Sequence, residues 1–256
     1  MAVRGLANKV VVVAGGATGI GATTAMRLAE EGCVVTVGDL IADGAQRTAE
    51  AINDRGGTAT AMTFDLAEPA SVAELFAATA AAHGGVDALF NVGADMGAIR
   101  SDTDVVDIDW SVWDRVMAVN LRGYVAAMKY GIPLMLSRGA GVIVNLSSAA
   151  AFQGEAARPA YAAAKAGIGA LTRHVASRWG KEGIRCNAVA PGFTATETIR
   201  SAPQWPDLEA AALKRIRGPR VGEPADVASL VAFLMSDEGA WINGQVLNID
   251  GGTVLR

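Results

Sequence analysis

KVVVVAGGATGIG, Lys9 to Gly21, changes character halfway along. Its first half is an unbroken apolar, β-branched run, the pattern of a strand buried on both faces. Its second half is rich in glycine, and from Gly19 to Glu31 the apolar residues take helical spacing until Gly32 ends the segment. A doubly buried strand needs helices on both faces of its sheet, so strand, glycine turn and helix in this order begin a βαβ unit. Gly15, Gly19 and Gly21 allow the backbone to turn sharply and to approach a ligand closely. The first helix turn, with Thr18, Gly19, Ile20 and Gly21, offers free amides and a positive dipole end to a pyrophosphate.

The rest of the chain repeats this alternation. CVVTVGD (33–39), TATAMTFD (58–65), VDALFNVG (86–93), GVIVNLS (141–147), IRCNAVA (184–190) and GQVLNID (244–250) read as further strands. Helical patterns fall between them at about Ala42–Arg55, Pro69–His83, Ser111–Ser137 and around Tyr161. The expectation is an α/β fold: a doubly wound parallel sheet of about seven strands with helices on both faces. No linker interrupts it, so residues 1–256 are expected to form one domain. The irregular segment 193–219, with two short helices, is the expected substrate loop.

Composition narrows the function classes. The chain is 51% hydrophobic and 19% charged, which supplies a sizeable core. A formal net charge of −4 leaves no basic excess for nucleic acid. No apolar run reaches about 18 residues, so no membrane span is expected, and with no signal-like start the expected location is cytoplasmic. Cys33 and Cys186 lie in apolar runs and read as buried free thiols. His83 and His174 have no partner at ligand spacing, so no metal site is expected. LKRIRGPR (213–220) reads as a solvated helix face, with attraction of an acidic substrate or carrier as the alternative.

Asp39 ends the second strand, 18 residues after Gly21. A carboxylate there accepts hydrogen bonds from an adenosine ribose and repels a 2′-phosphate. No basic residue closely follows Asp39 and Leu40, and Thr18 rather than a basic residue precedes Gly19. NAD is therefore expected over NADP.

These residues resemble the short-chain dehydrogenase/reductase family, in its NAD-preferring, non-extended form, from Lys9 to Gly252. The glycine spacing is similar to the family's TGxxxGxG, with Ala14 in place of the threonine. Asp65–Leu66 resembles the acidic pair that meets the adenine ring. NVGA (91–94) stands where the family writes NNAG: Asn91 matches, and Val92, Gly93 and Ala94 depart. The resemblance implies a shifted turn there with cofactor binding retained at Asn91 and Gly93. Asn120 in MAVNLRG, Ser148 thirteen residues before Tyr161, and Tyr161 with Lys165 as YxxxK match the family's catalytic positions. PGFTAT matches the segment that lies against the nicotinamide, with Pro191, Gly192, Thr194 and Thr196 as its candidate contacts.

The chemistry follows from residue types. Tyr161 and Lys165 share one helix face. A nearby ammonium and an oxidised nicotinamide are expected to lower the phenol from its usual value of about 10. Tyr161 is then the general acid/base, and Ser148 donates to the substrate oxygen. Lys165 is expected to tune the phenol, and the resemblance implies that it also binds the nicotinamide ribose and that Asn120 holds a proton-relaying water. Ala150 beyond Ser148, Phe193, Ile199 and Trp205 in the loop, and Met96 opposite suggest an apolar pocket. That favours a hydrophobic secondary alcohol or its ketone, cyclic or steroid-like. Two rivals stand beside this reading: a 3-oxoacyl-carrier-protein reductase using NADPH, and a catalytically silent NAD-binding protein. The resemblance also implies a homotetramer, which the small residues of AVNLRGYVAAM and AGIGALTRHVA permit.

Overall fold

The computed structural model describes residues 3–255. Seven strands form one parallel sheet: β1 Val10–Ala14, β2 Val34–Asp39, β3 Thr58–Thr63, β4 Ala88–Asn91, β5 Gly141–Leu146, β6 Ile184–Pro191 and β7 Val246–Ile249. Their order is β3-β2-β1-β4-β5-β6-β7, and every neighbouring pair is parallel. The order reverses between β1 and β4, and in open α/β sheets a crevice for a ligand forms at that switch point.

The helices are α1 Gly19–Glu30, α2 Ala42–Asn53, α3 Pro69–His83, α4 Met96–Arg100, α5 Trp110–Met117, α6 Gly123–Ser137, α7 Pro159–Trp179, α8 Glu197–Arg200, α9 Trp205–Leu213 and α10 Pro224–Met235. Strand β1 explains the two layers. Val11 and Val13 pack with Leu28 of α1, Ala45 of α2 and Val231 of α10. Val12 and Ala14 point to the other face, with Leu75 of α3, Tyr124 of α6 and Ile168 of α7. All of β1 is buried, and each valine buried there stabilises the fold by roughly 1.5–3 kcal/mol. Alternation is absent from its sequence because neither face meets water.

Three sequence expectations need correction. The helix expected over Ser111–Ser137 starts a residue earlier and is interrupted by a π-helical turn, Ala118–Arg122, between α5 and α6. The helices expected from the sequence include none between the loop and the last strand, yet α10 forms there, with Glu223 and Asp226 making a capping box ahead of an apolar run. Residues 213–220 are not a helix face, because α9 ends at Leu213. Beyond it Arg217 and Gly218 donate backbone N–H bonds to Gly251 O at 2.9 and 3.0 Å, and Arg220 pairs with Asp226 at 2.7 Å.

Both cysteines are buried and free, and burial pushes each thiol up to about 12. Among the described residues no helix is long and apolar enough to cross a membrane, and no group of three or more His, Cys, Asp or Glu could hold a metal.

Candidate active site

The candidate residues gather at the C-terminal ends of the strands. In the glycine turn, Gly15 has φ +114, and a Cβ there would lie 2.4 Å from Gly93 N. A Cβ on Gly21 would lie 1.9 Å from Gly15 O, so only glycine lets α1 sit this close to β1. Gly19 has φ +54, and its absent Cβ would lie 3.0 Å from Thr196 Cγ2, which brings the 191–196 segment over the turn. Thr18 makes no side-chain cap on α1, and the first turn carries no acidic residue. An uncapped, glycine-lined helix start under this segment fits a pyrophosphate.

Asp39 stands at the end of β2. Its carboxylate accepts N–H bonds from Ala17 at 2.9 Å and Ile41 at 3.0 Å, which fixes it beside the glycine turn. Leu40 next to it is exposed. Asp65, just beyond β3, accepts from Ala67 N at 2.7 Å, and Arg115 lies 4.0 Å away. Leu66 is buried, filling the space that side chains on Gly93 and Gly123 would need. Asn91 is buried between strands: its Nδ2 donates to Asn145 Oδ1 at 2.9 Å, and its own Oδ1 has no partner. The turn after it is held by Val92 N and Gly93 N on Ala14 O at 3.0 and 2.8 Å.

The catalytic candidates come from three elements. Ser148 follows β5, its Oγ accepts from Ala150 N at 3.1 Å, and its hydroxyl faces the Tyr161 phenol closely enough to lower that group's pKa. Tyr161 and Lys165 lie on the first turns of α7. Lys165 is fully buried, with Nζ donating to Leu146 O at 2.6 Å and Tyr124 Oη at 3.3 Å, 5.7 Å from the Tyr161 ring centroid. Asn120 sits in the π-helical turn, a feature frequent at functional sites. Its Oδ1 accepts from Asp95 N at 3.2 Å, while its buried Nδ2 has no partner.

The electrostatics depart from the sequence expectation. Burial pushes the Tyr161 phenol above 10.0, against a lowering by Ser148 and Arg158. Burial also pulls the Lys165 ammonium from 10.5 down to about 7. Desolvation penalises both charged forms, and it outweighs their proximity here.

Residues invisible to sequence reasoning complete the site. Buried Asp102 accepts the backbone N–H bonds of Ala160 at 3.3 Å and Tyr161 at 2.8 Å, so a carboxylate caps the start of α7. It is 58 and 59 residues away from those partners, beyond any local signal. Tyr124 links Lys165 to Gly93 O, to which its hydroxyl donates at 3.2 Å. Of the pocket candidates, Ala150 is buried and Met96 is exposed. Phe193 and Trp205 stack 6.3 Å apart beside Ala195, Ala212, Ile216 and Val221. Arg215 donates to Gln153 Oε1 at 2.6 Å, joining the loop to the turn after Ser148.

Residues 15–254 match a family model described as enoyl-(acyl carrier protein) reductase. The chain is 38% identical to cis-4-hydroxycyclohexanecarboxylate dehydrogenase of Sinomonas cyclohexanicum, covering 96% of each. It is 32% identical to a 3-oxoacyl-[acyl-carrier-protein] reductase of Thermotoga maritima, covering 98% of this chain and 99% of the relative. A solved 7α-hydroxysteroid dehydrogenase, complexed with NADH and 7-oxo glycochenodeoxycholic acid, superposes with a TM-score of 0.90. That structure is 29% identical, over 99% of this chain and 96% of the other. The chain belongs to the short-chain dehydrogenase/reductase family. It is an oxidoreductase of alcohols and ketones that uses a nicotinamide cofactor.

Proposed function

We propose that this enzyme interconverts a hydrophobic, cyclic or steroid-like secondary alcohol and its ketone, prefers NAD(H), and uses Tyr161 as general acid/base. The observation that carries the reading is the meeting of Ser148, Tyr161 and buried Lys165 beside the β1–β4 crevice. The stacked Phe193 and Trp205 in the loop favour an apolar ring, and two relatives act on cyclic substrates by name.

The cofactor, when bound, accepts or supplies the hydride. Asp39 would hold its adenosine ribose, and the amides from Gly19 to Gly21 its pyrophosphate. Gly15 and the 191–196 segment would let it lie close to the sheet. Lys165 would bind the nicotinamide ribose while fixed by Leu146 and Tyr124. Ser148 would donate to the substrate oxygen and hold it at the phenol. Tyr161 then takes the hydroxyl proton during oxidation and returns it during reduction. Asn120 Nδ2, buried with both hydrogens still to give, would hold a water that passes the proton outward.

Tyr161→Phe is expected to lower turnover by roughly 10²–10⁴-fold, the usual weight of a general acid/base, with NADH affinity retained. Unchanged turnover on a panel of cyclic and steroid alcohols would remove Tyr161 from this role. The acyl-carrier-protein reductase relative supports a second reading, with NADPH as cofactor. Comparing kcat/KM for the two cofactors decides between them. Asp39 predicts a preference for NAD, and a strong NADPH preference would overturn the first reading.

A further inference from the structure

Lys165 is not the only cation near the phenol. The Cζ of Arg158 lies 5.8 Å from the Tyr161 ring centroid, just before α7 begins. We propose that Arg158, held over Tyr161 by Glu155, is a positioning residue that supplies a permanent positive charge to the tyrosinate. The proposal rests on the reading of Tyr161 as the acid/base group.

The backbone is committed to this placement. Arg158 has φ +68, one of two non-glycine residues with positive φ among those described. An arginine is not the residue that such a conformation favours. Its N–H donates to Asp102 O at 3.1 Å and Thr103 O at 2.8 Å, which ties it to the same segment that caps α7. Its Nη2 is hydrogen-bonded to Glu155 Oε2, and that carboxylate is only 15% exposed. The pair is thus anchored at the backbone on one side and at a mostly buried acid on the other.

The groups facing the phenol are few. They are Ser148 after β5, Tyr124 from α6, Lys165 from α7, and the Glu155–Arg158 pair. The Asp102 carboxylate accepts from the backbone N–H groups of Ala160 and Tyr161. The nearby face of α5 is apolar, with Val112, Trp113 and Val116, while Arg115 of that helix pairs with Asp95. Burial lowers the Lys165 ammonium from 10.5 to about 7, whereas a guanidinium keeps its charge throughout the working range. The charges of the pair act in opposite senses: Arg158 favours the tyrosinate and Glu155 opposes it.

That opposition makes the test directional. The NAD⁺ complex would be titrated by tyrosinate absorbance, with the Tyr161→Phe protein as the blank. Arg158→Gln should raise the Tyr161 midpoint by roughly half to one pH unit, since the guanidinium is part-exposed. Glu155→Gln should lower the midpoint, and Arg158→Lys should keep it near the wild-type value. Midpoints unmoved by both glutamine variants, or moved in the same direction, would overturn the proposal. If Arg158→Gln does not fold, Glu155→Gln and Arg158→Lys still decide it. The readout does not need turnover, so loss of the acid/base reading (an active Tyr161→Phe enzyme) is seen separately.

Discussion

Lys165 shows how burial and chemistry meet at one residue. Its ammonium is enclosed by β5 and α6, and desolvation brings it from 10.5 to about 7. Between those values the unfolded chain binds a proton that the folded chain does not. Stability from this residue therefore rises with pH through that window, and is lost as pH falls towards 7. Denaturant unfolding of the cofactor-free protein and of Lys165→Met, from pH 7 to 10, should show the wild type gaining relative to the variant. Parallel curves would show that Lys165 is charged in the fold. The sequence indicated a lysine one helical turn from a tyrosine. It carried no sign that Leu146 O and Tyr124 Oη would take its hydrogens.

At the scale of elements, the strand–turn–helix unit was legible because all its determinants are local. An apolar run, three glycines and a helical period lie within the stretch Lys9–Glu30. Gly21→Ala tests how tightly they cooperate, because the new methyl would sit 1.9 Å from Gly15 O. The turn must spread to accept it, at a cost of about 1–3 kcal/mol. A lower Tm and NADH binding weakened roughly tenfold or more are expected, read by thermal melting and NADH fluorescence. Unchanged values for both would mean that the turn is softer than its packing. The π-helical turn at Ala118–Arg122 was not legible, since apolar spacing alone does not distinguish one extra residue in a helix turn. Yet this turn is what sets Asn120 beside Asp95.

For the whole molecule, β7 forms one edge of the sheet, and its Val246, Leu247 and Ile249 are half-buried where β1 is fully buried. Trp241, just ahead of it, is 100% exposed. An apolar edge with a bare tryptophan is a surface that folded proteins usually cover. We expect a second copy to cover it as part of a homotetramer. Light scattering on the wild type should give the mass of four chains, and Trp241→Lys a smaller species. A monomeric wild type would refute the expectation. By itself the sequence determined the alternation of strands and helices, the glycine turn, and the Ser148–Tyr161–Lys165 spacing, because each depends on residues close along the chain. Only the tertiary structure decided that Asp102 caps α7, that Arg158 lies over Tyr161, and that burial rather than proximity governs Lys165. Those facts depend on which distant segments shut out water around the site, and desolvation is a property of the packed whole.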